Sequence, residues 1–219
     1  METESATIDN DVLLKLACFG LLDKLLEALR VDADNAYILG AAKFVIRRAI
    51  DRRFSENNKQ RASAQFESFI SAVNQVEPTE DEIGFATEIE DAAIRNGVEV
   101  DVGESLLTSI TIKRSIELLA TGDKRAIVGL EKLIALMPSL EEIKGRVACF
   151  EQIMQALASL VGIDEIRDRV CSEPETDIAL TMCCSCSNPS AAATSLLDGL
   201  TSYIKNIRDN APNILASIT

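Results

Sequence analysis

Apolar positions along the chain keep changing their period, and those changes divide it into short elements. Residues 6–14 begin as a brief apolar approach, cross Asp9, Asn10 and Asp11, and continue as a leucine-rich segment. In that segment Leu13, Leu16, Leu21, Leu22, Leu25, Leu26 and Leu29 recur at helical spacing around Gly20, which predicts one kinked helix or two short ones over residues 11–30. A further helix is predicted over 35–53, and another over 63–73 with Phe66, Phe69, Ile70 and Val73 as its apolar side. Pro78 breaks the pattern, and Glu80, Asp81 and Glu82 then open a helix at the end its dipole favours for anions. Asn96-Gly97 stops that helix.

Residues 98–101 alternate as a short strand and lead into a helix that starts near Glu104 and runs to Arg114. Residues 115–120 are apolar enough for a buried strand, which runs into Thr121-Gly122-Asp123-Lys124 and a helix over 126–135. Three times, then, an apolar strand ends in an acidic residue that opens a helix. Alternating strands and helices predict an α/β domain with a parallel sheet, whose strands place their C-terminal ends along one edge, where ligands bind. Asp9, Asp11, Glu104 and Asp123 are expected to converge there. Asn10 or Asp11 acting only as a helix cap accounts for the first of these positions equally well.

Beyond Pro138 the periodicity is wholly helical, over 140–160, 164–170, 177–185 and 190–204. The expected organisation is an α/β domain over 1–138 and a helical extension over 139–219, packed on the domain or used for dimerisation. No apolar run reaches the ~18 residues of a membrane span, and Glu2 and Glu4 stand where a signal peptide is basic, so a cytoplasmic protein is expected.

The formal charge of -13 excludes indiscriminate binding to nucleic acid, which needs a positive surface. A local exception lies at 43–61, where Lys43, Arg47, Arg48, Arg52, Arg53, Lys59 and Arg61 face only Asp51 and Glu56. That segment reads as a landing surface for RNA, as a docking site for an acidic partner, or as a solvated helix face paired with itself. The absence of histidine removes every Ser-His or Cys-His mechanism and any His-ligated zinc, leaving carboxylates, thiols, hydroxyls and lysine for chemistry. Cys183-x-x-Cys186, with Cys184 between and Cys171 upstream, has two readings: a thiolate zinc site, or buried reduced thiols.

The ordered acidic set resembles that of the PIN-domain nucleases over residues 6–135. The likeness rests on Asp9, Asp11, Val12 and Leu13 at the first strand, Gly103 and Glu104 at a helix start, and Thr121 and Asp123 at a later strand end. Asn10 departs from the small Ser/Thr usual between the first acids, Asp101 competes with Glu104 as a ligand, and Glu141 or Glu142 are poor matches to a further acid. The resemblance implies a three-layer α/β/α sandwich with a mostly parallel sheet. It also implies Mg2+ or Mn2+ held by Asp9, Glu104 and Asp123 with Asp11, and hydrolysis of phosphodiester bonds in RNA or single-stranded nucleic acid. Lys124 and Arg125 flank Asp123 as candidate phosphate contacts. A toxin-like or defence effector restrained by an inhibitory protein partner, and a homo-oligomer, fit the same reading. The alternative is a degenerate scaffold that serves as an interaction module.

Overall fold

The computed structural model describes residues 5–53, 56–188 and 194–218, with the side chains of Arg53, Glu56, Asn57 and Thr194 left aside. Its centre is a five-stranded sheet, all parallel, in the order β3-β2-β1-β4-β5. The strands are β1 (Ala6–Ile8), β2 (Ala36–Leu39), β3 (Asn74–Val76), β4 (Leu118–Thr121) and β5 (Val147–Cys149). Because β1 lies between β2 and β4, the direction of the strand order reverses beside it, which makes its C-terminal end a crevice.

Side chains alternate across the strands and feed two separate apolar layers. Ala6, Ile8, Ile38, Leu118, Ala120 and Ala148 face one layer, whose helices include α1 (Asn10–Phe19), α2 (Leu25–Leu29), α3 (Ala42–Arg53), α4 (Glu56–Ala72) and α8 (Phe150–Val161). Leu39, Leu119, Val147 and Cys149 face the other, which holds α5 (Glu80–Asn96), α6 (Val102–Lys113) and α7 (Lys124–Ile134). The parallel α/β sheet expected from the period changes is present, and its two covered faces make the three-layer α/β/α sandwich that the resemblance implies. Beyond α8 follow α9 (Ile163–Ser172) and α10 (Ile178–Cys183), whose Ile166, Val170, Leu180 and Cys183 join the first layer, and then α11 (Thr194–Asn210) beside the β5 edge. Helix α11 sends Leu196 and Leu200 into the first layer and Ile204 and Ile207 into the second, sealing that edge. The tail completes the seal, with Val147 donating to the Ile214 carbonyl at 3.1 Å and Ala216 donating back to Val147 at 2.8 Å.

Of the two readings of residues 11–30 the structure takes the two short helices, since Gly20, at φ 69, ends α1. Several other expected elements are corrected. Ala36–Leu39 is a strand, not the opening of a helix over 35–53; a four-residue apolar run before Gly40 suits a buried strand in a parallel sheet. Asn74–Val76 carries no apolar signal because it is an exposed edge. Residues 98–101 are unpaired: Val98 and Val100 pack on the second layer while the backbone lies against α7, where a Cβ on Gly129 would stand 2.7 Å from the Glu99 carbonyl. Val147–Cys149, read as the interior of a helix over 140–160, is the fifth strand, so the segment beyond residue 138 is not a helical extension alone. The start of the helix expected over 190–204 falls outside the described residues.

The second layer is tied together by one buried ion pair. Glu82 of α5 is 3% exposed and takes Arg114 Nε at 2.6 Å and its second guanidinium nitrogen at 2.8 Å. Hydrogen bonds from Arg114, and one from the Thr79 N–H, outweigh burial and hold the Glu82 carboxyl down at about 2. Its stabilising contribution is full above the usual carboxylate value and is lost as pH falls toward 2. Arg114→Ala is expected to destabilise the protein at pH 7 by about 2–3 kcal/mol, since it strands a buried carboxylate. In urea titrations the gap to the parent should narrow below pH ~4.5; a gap that widens on acidification contradicts the assignment.

Candidate metal centre

Three acids at this edge are helix N-caps, and that is what fixes them. Asp9 follows β1 and accepts from the backbone of Asn10 at 2.7 Å and Asp11 at 3.4 Å. Asp123 follows β4 by two residues and accepts from Arg125 and Ala126 at 2.7 and 3.2 Å. Asp101 opens α6 in a reciprocal capping box: it accepts from the Glu104 N–H at 3.0 Å, and the Glu104 carboxylate accepts from the Asp101 N–H at 2.7 Å. A short polar acceptor is what each exposed helix start requires. Because the strands are parallel, the starts of α1 and α7 open on the same edge as α6.

The result is a cleft of about 540 Å³ lined by Asp9, Asp11, Asp101, Glu104 and Asp123, with Lys15, Lys124 and Arg125 among its walls. The structure thus brings all five candidate acids to one place. Gly122 forms part of the floor: a Cβ there would lie 2.1 Å from a carboxylate oxygen of Asp11, which leans across it. A larger recess, about 600 Å³, opens at the other end of α6, where Asp81 is already paired with Lys113 at 2.9 Å.

Crowded anions leave a signature on their protonation. Burial first, then the charge of Asp11, pushes the Asp9 carboxyl up to about 6 against the two N–H bonds that favour its anion. Burial and a hydrogen bond shared with Asp101 push Glu104 up to about 8. Asp101 resists burial and stays below its usual value, because that shared bond and the N–H groups of Glu104 and Gly103 favour its anion.

The acids do not yet form a coordination shell. Among the described residues no three carboxylates bring one oxygen each within 4.8 Å of the others. Cations hold two of them off: Lys15 bridges Asp11 at 2.7 Å and Asp177 at 2.9 Å, and Arg125 takes Asp123 at 3.2 Å and Glu99 at 2.8 Å.

The expected phosphate contacts fare unequally. Lys124 lines the cleft but reaches Glu151 at 2.5 Å and lies over the Tyr203 ring at 4.6 Å. On α3, Arg47 is held by Glu67 through two bonds of 2.6 Å, whereas Arg48 and Arg52 are exposed. The Arg53 side chain lies outside the described residues. Lys59 pairs with Asp51 at 2.9 Å, so the segment neutralises part of its own charge. Sequence reasoning missed Glu151, which is 3% exposed and stands in the first turn of α8 after β5, with one oxygen lacking a hydrogen-bond partner. Its signal was the strand-acid-helix order seen elsewhere, hidden because Val147–Cys149 was read as helix. Glu141 and Glu142 lie in or beside a 3-10 turn, Pro138–Ile143, away from the cleft walls.

The cysteines also depart from expectation. Cys171 and Cys186 form a disulfide, while Cys18, Cys149, Cys183 and Cys184 are buried thiols outside it. Cys183 is not grouped with Cys186; a Cβ on Gly199 of α11 would meet its sulfur at 2.8 Å. No helix of the described residues is long and apolar enough to cross a membrane. Comparison of the chain with family models, characterised proteins and solved structures found no match.

Glu104→Gln isolates the charge repulsion, because an amide can accept from the Asp101 N–H and donate to its carboxylate. With the folded-state value raised to about 8, the native protein binds the extra proton between pH ~4.5 and 8, so stability falls as pH rises through that window. In a chelator, the variant should match the parent near pH 4.5 and exceed it by roughly 2 kcal/mol above pH 8. Equal stability at pH 9 contradicts the repulsion.

Proposed function

We propose that this protein is a metal-dependent endonuclease of the PIN type, hydrolysing phosphodiester bonds in RNA. The observation that carries the reading is the convergence of Asp9, Asp11, Asp101, Glu104 and Asp123 in one cleft at the C-terminal edge of a parallel sheet. The donor set is all oxygen, which suits Mg2+ or Mn2+ rather than a softer ion. Asp9, Glu104 and Asp123 would hold the cation, with Asp11 and Asp101 as the nearest further donors. A bound cation lowers the pKa of its water and neutralises charge on the phosphate oxygens.

The chain's own residues supply the rest. The N–H groups capped by Asp9 and Asp123 keep those carboxylates aimed, and their helix starts would favour a phosphate at the cleft. Lys15 and Arg125 are each shared between two acids, so either can turn toward a phosphate oxygen without leaving its remaining acid unpaired. Arg48 and Arg52 extend a cationic track along α3, whose first turn starts from the same sheet edge after β2. Favourable phosphate contact is confined to these places by the charge of the remainder.

A second reading, a scaffold that binds protein partners without catalysis, is favoured by exposed apolar residues near the same edge. Phe44 and Val102 are 66% and 59% exposed in the first turns of α3 and α6, and Ile178 is 73% exposed at the start of α10.

Incubation of the purified protein with a single-stranded RNA and Mn2+ separates the two. The nuclease reading predicts products that disappear in chelator and fall by at least ~100-fold in Asp9→Asn, since removing a metal ligand removes charge stabilisation in the transition state. Cleavage unchanged in Asp9→Asn, or none at all at saturating Mn2+, contradicts it.

A further inference from the structure

A second cluster of metal-ligating atoms lies away from the cleft. One sulfur each from Cys171, Cys184 and Cys186 falls within 4.8 Å of the other two. Cys171 lies in the last turn of α9 and Cys184 is the C-cap of α10. Cys186 is brought back by a tight helix stop: its N–H bonds the Thr181 carbonyl at 3.2 Å and the Ser185 N–H bonds Met182 at 3.0 Å. This is the Schellman arrangement, which normally places glycine where the chain turns left-handed. Here Ser185 occupies that position at φ 50. A serine there costs about 1 kcal/mol, so its surroundings must hold the turn that stacks Cys186 beside Cys184.

The cluster is more than a cross-link. A disulfide needs two sulfurs, and the third, Cys184, is wholly buried yet stands against them as a free thiol. Beside the pair opens a recess of about 440 Å³ lined by Asp164, Arg167 and Asp168 as well as Cys171 and Cys186. Asp168 precedes Cys171 by three residues on α9 and so shares its face. In a tetrahedral thiolate site with Zn–S bonds of ~2.3 Å the sulfurs stand about 3.8 Å apart, a spacing this cluster reaches with small side-chain rotations once the disulfide opens.

We propose that Cys171, Cys184 and Cys186 form a binding site for a thiophilic divalent cation, Zn2+ foremost, that is available in the reduced chain and closed by the Cys171–Cys186 disulfide. Asp168 supplies the fourth, oxygen ligand from the recess. Opening takes two electrons and two protons from a reductant: a dithiol supplies them and leaves as its own cyclic disulfide, or a phosphine supplies the electrons and leaves as its oxide, with water giving the oxygen and the protons. Binding then releases three thiol protons as three sulfur–metal bonds form. Burial raises the Cys184 thiol to about 12, so it remains protonated until a cation offsets its charge. That value also makes it a poor nucleophile toward the neighbouring disulfide.

Cobalt reports on such a site without reference to activity. The full-length protein, reduced with a phosphine and freed of excess reductant, is titrated with Co2+ and then Zn2+. One equivalent should produce thiolate-to-cobalt charge transfer with the strong visible bands of a tetrahedral site, and Zn2+ should displace it. The oxidised protein should show neither band. Cys184→Ser should still form the disulfide, as a thiol count shows, but lose the charge transfer and bind Zn2+ roughly a hundredfold or more weakly when reduced. Cys183→Ser and Asp9→Asn should leave the signal intact, which separates this site from the acidic cleft. No charge transfer in the reduced parent, or an undiminished band in Cys184→Ser, overturns the proposal.

Discussion

The hydrogen bond from the Asp9 N–H to the Ala120 carbonyl, 2.9 Å long, continues the pairing of β1 with β4 one residue past the strand. It fixes where the first acid stands relative to the turn that carries Gly122 and Asp123. Everything at the cleft depends on this parallel pairing. Had β4 run antiparallel to β1, Asp123 would open its helix at the far edge of the sheet. With the strands parallel, α1 and α7 start side by side, and the bare Gly122 leaves room for the Asp11 carboxylate between them.

Helix starts and burial then pull the acids in opposite directions. A capped N-terminus favours a carboxylate as an anion, as the N–H groups at Asp9 and Asp101 do. Burial and mutual repulsion favour the protonated acid, and in Glu104 these win. The site is therefore held partly neutral by protons and by the ammonium and guanidinium groups of Lys15 and Arg125. The hard divalent cation proposed here would satisfy the same anions without those substitutes.

Long or flanked elements were legible in the sequence and short ones were not. The α5 helix announced itself through Pro78, its acidic first turn and Gly97, and the α7 helix through Asp123, because the signals that start and stop a helix are local. β2 and β5 were hidden because Ala36–Leu39 and Val147–Cys149 are apolar runs of three or four residues that continue, without a period change, into amphipathic helices. β3 was hidden because an edge strand can be polar. The acids of the cleft were found from strand-acid-helix order and the resemblance it carries, even though the strand expected over residues 98–101 is an unpaired segment packed on Gly129. Glu151 was lost with β5. The disulfide between Cys171 and Cys186 was invisible, since the turn at Ser185 that brings the sulfurs together carries no glycine to mark it.

Proton release on cation binding reaches the central claim most directly, because it links the raised carboxyls to the cleft in a single observable. Calorimetric titration of the full-length protein with Mn2+ in buffers of different ionisation enthalpy measures it. If the cleft takes the cation, the Glu104 proton is displaced: about one proton should be released at pH 7, falling toward none by pH 9, where that carboxyl is already ionised. No binding heat at either pH, or binding whose heat is independent of the buffer at pH 7, contradicts the account.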